Sequence, residues 1–177
     1  LRFVFRKALR AGFRYANLTD NEIEQYIEEN ILVEFIHTDR IYKIRDARGR
    51  RLEAIADMLI ALGENDAVPH PELNVHKHIG DYALFVTGVF PELLRRIRSN
   101  SAEHTLGELL ASGDMFGYYV APGRRAYARA ATGGNRMFGE LSRNFVSYAD
   151  ALTLARAHLD SLKHRAFEDF QGGLLAT

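Results

Sequence analysis

The chain predicts an all-α fold: one domain spanning residues 1–177, in which six to eight helices surround a buried central helix at about 75–90. Three observations carry that prediction. Apolar residues recur with a 3.6-residue period along most of the chain, as amphipathic helices packed in a bundle require. The stretch holding Ala83, Leu84, Phe85, Val86, Val89 and Phe90 leaves almost no polar face, and a helix that is apolar all round has to be enclosed by other elements. Gly80, Leu84 and Gly88 fall at i, i+4 and i+8 of that helix, so they stack on one side, where missing Cβ atoms let another helix backbone come close.

Taken in order, Leu1 to Phe13 places Leu1, Val4, Phe5, Ala8, Leu9 and Gly12 on one helical face, with Arg and Lys opposite. Thr19 and Glu22 read as a capping box, and the helix behind them runs through Ile23, Tyr26, Ile27, Ile31 and Phe35 to about Ile36. Between residues 40 and 52 short alternation followed by Asp-Ala-Arg-Gly suggests a small hairpin. Leu52, Ile55, Ala56, Leu59, Ile60 and Leu62 form the next helix, ended by Gly63. Residues 64–74, rich in Asn, Asp, Pro and His, read as a long internal loop rather than a domain boundary. Pro91 stops the central helix and suits the first turn of another, Pro91 to Ile97. A polar turn from Ser99 to His104, a short helical piece from Leu106 to Leu110, and a longer one from Asp114 to Ala131 follow, the last interrupted by Pro122 and Gly123. A long helix from Asn135 to roughly Arg165 and a Gly-Gly-Leu-Leu tail complete the chain.

Composition narrows the classes of function. With 177 residues, 47% of them hydrophobic, the chain can bury a core without staples. It has no Cys, which excludes disulfides, thiolate metal sites and a cysteine nucleophile, and fits a cytoplasmic setting. No secretory pattern opens it at Leu1. The apolar run from Ala83 ends at Phe90, even allowing Thr87 and Gly88, far short of the roughly 18 to 20 residues a membrane span needs. Basic and acidic residues balance at 23 each, so no global field gathers nucleic acid or anionic membrane, and neither is expected as a partner.

Two clusters resemble a known family. Gly80 to Glu92, GDYALFVTGVFPE, is followed by Tyr119, Gly123, Ala126 and Tyr127 in the pattern Y-x-x-x-G-x-x-A-Y, and then by Met137 to Ser142. Together they resemble a family of uncharacterised bacterial all-helical proteins, over roughly Glu24 to Leu154. The resemblance implies a helical fold and a cytoplasmic bacterial origin, and no reaction. Pro122 departs from that family's pattern.

Few side chains form a constellation that carries chemistry. His70, His76, His78 and Asp81 have metal-ligand chemistry, but His76 and His78 are two apart and diverge, unlike the histidines of H-E-x-x-H, so no metal is expected. Glu34 and His37 make one E-x-x-H where a di-iron bundle needs two. Asp81, ahead of the apolar run, reads as a carboxylate accepting backbone N–H bonds near the start of the central helix, with His78 as its neighbour. Tyr118, Tyr119, Arg124 and Arg125 are the candidates for an anion pocket, set against ordinary core packing of the tyrosines. Arg48, Arg50 and Arg51, and Arg95, Arg96 and Arg98, read as solvated basic faces. With no P-loop, G-x-G-x-x-G or G-x-S-x-G, no cofactor is expected. Two functions remain. The first is a helical interaction or regulatory protein acting through a surface, on an unidentified protein partner or its own copy. The alternative is an enzyme or small-ligand binder with a buried polar pocket near His78, Asp81, Tyr119 and Arg125.

Overall fold

The computed structural model describes residues 2–35, 38–45, 48–63, 74–89 and 115–161. The expected helices at Pro91 to Ile97 and Leu106 to Leu110, the loop before Asn74, the tail, and His37, His70, Arg95, Arg96 and Arg98 lie outside these residues.

The described residues are helical and contain no strand. Helix α1 is Arg2–Tyr15, and α2 begins as Asn21–Tyr26, continues through a π-helical turn Ile27–Leu32 and ends as Val33–Phe35. Then come α3 (Thr38–Ile41), α4 (Ile55–Gly63), α5 (Val75–Val89), α6 (Met115–Ala130), α7 (Arg136–Arg143) and α8 (Phe145–Ser161). Central α5 packs on α6 on one side and α8 on the other; α8 also carries α1, and α6 carries α7. From His78 to Val89 every residue of α5 is buried, which is the enclosure its apolar sequence demands.

Close backbone approach makes this enclosure possible, but not through a single groove. A Cβ on Gly80 would sit 2.6 Å from the Tyr127 ring of α6, whereas one on Gly88 would sit 2.6 Å from Leu152 Cβ of α8. The two glycines therefore serve different neighbours, because residues eight apart are displaced by about 80° around a helix with 3.6 residues per turn. Gly123 instead presses on Ala83 and Phe145. A Cβ on Gly12 would land on the Ala151 carbonyl, so α1 and α8 also cross at a glycine. The last described carbonyls of α5 are met from α8: Thr153 Oγ1 donates to Gly88 O at 3.0 Å and Arg156 Nη1 to Val89 O at 3.0 Å.

Several local expectations are corrected. Asp20, not Thr19, caps α2, its carboxylate accepting from the Glu22 and Ile23 amides. Among the described residues the hairpin reduces to one antiparallel bridge between Arg45 and Arg51, closed by Leu52 N–H to Ile44 O at 3.0 Å, with Gly49 at φ 76° beyond the first bridge position. Pro122 does not interrupt α6. A buried proline removes one backbone donor, and the burial of Tyr119 before it and of Gly123, Ala126 and Tyr127 after it offsets that loss. The long last helix is two helices, because Asn144 leaves helical geometry at φ −106° and ψ 28° and donates through its side chain to Glu140. Asp81 is not a cap either. Asn74 takes that place, its Oδ1 accepting from the Lys77 amide at 2.9 Å, and Asp81 lies in the second turn, where backbone N–H groups are already used.

Candidate functional site

The most polar point of the interior is Asp81. Its carboxylate, 2% exposed, is held by three elements. Tyr26 Oη of α2 donates to Oδ1 at 2.7 Å, Tyr127 Oη of α6 donates to the same oxygen at 2.8 Å, and Lys77 Nζ, one turn earlier on α5, donates to Oδ2 at 2.9 Å. Lys77 also lies over the Tyr26 ring, 5.1 Å from its centroid, so one ammonium serves the carboxylate and the aromatic face together. Burial pushes the Asp81 carboxyl above its ordinary range, opposed by Lys77 and the two phenols. Burial first, and then the Asp81 charge, also raise both phenols, so each hydroxyl stays a donor. The cluster is closed: each carboxylate oxygen is occupied, and Phe138 packs against both tyrosine rings from α7.

His78, one turn before Tyr82 and buried, points elsewhere. Its Nε2 lies 3.0 Å from Ile41 O, and because a carbonyl only accepts, Nε2 carries the proton. Burial lowers its pKa to about 4; the Ile41 carbonyl opposes, while Lys43 and Lys77 add to the fall. The ring is neutral at physiological pH, packed edge-on to Phe35. His76 is half-buried, and no group of His, Asp or Glu among the described residues is arranged to hold a metal ion. Glu34 is committed to Arg40 at 2.7 Å.

Tyr119 is fully buried between Tyr82 and Tyr118. Its hydroxyl forms no well-formed hydrogen bond among the described residues, although the Tyr82 hydroxyl and the Ile55 amide lie near it. Tyr82 itself donates to Glu53 O. Tyr118 is half-buried. Arg124 and Arg125 are exposed, Arg124 Nε donating to Ser142 O at 3.0 Å, so neither arginine joins Asp81 or His78 in one pocket.

Sequence reasoning missed Tyr26 and Lys77 as partners of Asp81, and took Tyr127 only for packing. One signal was present: Lys77 and Asp81 are four apart, the spacing of a helical ion pair. It also missed Glu28. That residue falls off the apolar stripe when a strict 3.6 period is counted, but the π turn, in which Val33 N–H reaches back five residues to Glu28 O, swings it inward. There it is buried and accepts from Arg6, with Nε at 2.9 Å and 3.1 Å and Nη2 at 3.0 Å.

No family model, no curated protein and no solved structure matches this chain. Among the described residues no helix is long and apolar enough to cross a membrane.

Proposed function

We propose that this protein is a helical interaction module, working by presenting a surface to another protein or to its own copy. The observation that carries this reading is the saturation of Asp81: its donors all come from the chain itself, which makes the polar interior a fastening between helices rather than a place for substrate. Large apolar side chains stand instead on the outside, with Phe3 and Tyr15 each 78% exposed on α1 and Val146 exposed on α8. No match to a known protein adds to it, so geometry alone supports the proposal. Native mass spectrometry of the protein purified from its own host tests it. The expected spectrum contains a protein complex or a self-associated species, and a monomer carrying a stoichiometric small molecule overturns the reading.

The alternative, a small-ligand binder, is favoured by one observation, the buried Tyr119 hydroxyl without a well-formed partner. Under that reading Tyr119→Phe abolishes ligand retention in the same spectrum. Under the interaction reading it leaves the complex unchanged and is neutral or stabilising, because it removes an under-satisfied polar atom.

A further inference from the structure

Helix α1 carries five basic residues and no acidic one in a chain whose charges balance. Its apolar stripe, Phe5, Ala8, Leu9 and Phe13, is spent on the core. Its outer side forms, with α8, a furrow of two hollows. The first, of about 310 Å³, is lined by Phe3, Arg6, Lys7, Arg10, Arg14 and His158 among others. The second, of about 400 Å³, is lined by Tyr15, Ala16, Ser147, Asp150, Thr153 and Leu154. Ser147, Asp150, Leu154 and His158 follow one another at three- and four-residue steps, so both hollows run along one stripe of α8.

The charges of this furrow are unequally committed. Arg6 is paired with Glu28 and Arg10 with Glu24. Among the described residues Lys7, Arg14 and Asp150 have no ion-pair partner. Lys7 and Arg14 are seven residues apart, about 10 Å along the axis, or two helical turns. An exposed aromatic residue stands at each end of α1.

We propose that the furrow along the α1–α8 seam docks an acidic, amphipathic segment of a partner protein; this rests on the interaction reading above. Two carboxylates of the segment, two turns apart, meet Lys7 and Arg14, and its apolar side chains cover Phe3 and Tyr15, the pattern of a helix laid in a groove. Asp150 at the far end fixes direction, because an acidic residue there is repelled and a cationic one is attracted. Charge selects this occupant over two others. A bilayer needs an apolar face to insert, and that face of α1 is already buried. A nucleic-acid backbone needs a run of uncommitted cations, whereas Glu24 and Glu28 engage alternate ones here.

The full chain is titrated, by fluorescence anisotropy, into a labelled helical peptide of Glu and Leu at i, i+3, i+4 spacing with Lys at one end. A DNA duplex and phosphatidylserine vesicles are the competing probes. Reversing two charges in Lys7→Glu with Arg14→Glu is expected to weaken peptide binding by about tenfold or more, with an unchanged thermal melt. Arg125→Glu with Arg129→Glu, the same charge change on α6, is expected to leave binding unaltered. Equal loss in both pairs, no loss in the first, or tighter binding of DNA or vesicles overturns the proposal. Cross-linking of the full chain in extract of its own host separates the two levels. Cross-links confined to α6 and α7 overturn the furrow while leaving an interaction module, and a chain that meets neither partner nor copy sinks both.

Discussion

Two carboxylates are buried in the described part of this protein, and the chain holds them in opposite ways. Glu28 faces one guanidinium in a two-pronged contact, and that arginine is itself half in water, its side chain 51% exposed. Asp81 faces two neutral phenols from different helices and one ammonium from its own. The first pair joins α1 to α2 near the surface, where solvent screens the attraction and can replace either partner. The second joins α2, α5 and α6 through two buried phenols, with only the Lys77 side chain, 32% exposed, partly in water, so the hydrogen bonds of Tyr26 and Tyr127 have no substitute. Burial of a charge therefore does not by itself say how much of the fold depends on it; the access of water to its partners does.

The largest effect is expected on removing the less replaceable carboxylate. Asp81→Ala strands two buried hydroxyls and leaves a cavity, and is expected to destabilise by about 3 to 5 kcal/mol in chemical denaturation. A loss no greater than that of Glu28→Ala would break the contrast between the two sites. Next comes acid. His78 has its folded pKa lowered to about 4 from an ordinary 6.5, so between these values the unfolded chain binds more protons and stability falls as pH falls. The loss reaches up to roughly 3 kcal/mol by pH 4. Asp81 works in the other direction, since its raised pKa makes the native state the better proton binder above the unfolded carboxyl value. Melts across this range should slope strongly in the wild type. In His78→Gln, which keeps a donor for Ile41 O, they should be flat or reversed, and an unchanged slope would remove His78 as the cause.

Asp81→Asn sharpens the comparison further. It keeps an oxygen for Tyr26 and Tyr127 and gives up only the charge facing Lys77, so a cost of about 1 to 2 kcal/mol is expected, well below that of the alanine variant. Equal costs for the two variants would mean that the charge, not the acceptor, is what the helices share. Smallest is Glu28→Gln, for which a fall in Tm of about 3 °C is expected because Arg6 returns to water. A fall as large as that of Asp81→Ala would show that screening does not distinguish the sites.

Much of this fold was legible because it rests on periodicity. The all-α class and the enclosed helix at Val75–Val89 follow from apolar spacing that acts within a few residues. Local rules failed where a distant contact outweighed them. Pro122 stays inside α6 because packing on both sides of it offsets a missing hydrogen bond. Glu28 turns inward because Arg6, far away in sequence, meets it across a π turn. Of the candidate site, the sequence singled out Asp81 and His78 but joined them wrongly to each other and to Arg124 and Arg125. Their real partners are a carbonyl 37 residues away for His78, and hydroxyls 55 and 46 residues away for Asp81.

By itself, then, the sequence determined which segments coil and which faces they hide, since helix periodicity and the hydrophobic effect act on neighbours along the chain. Only the tertiary structure decided which helix each glycine admits, which donors close on Asp81, and that the basic side of α1 is left outside beside Asp150. Those outcomes depend on distances between residues far apart in the chain, and no local pattern encodes such a distance until the helices have packed.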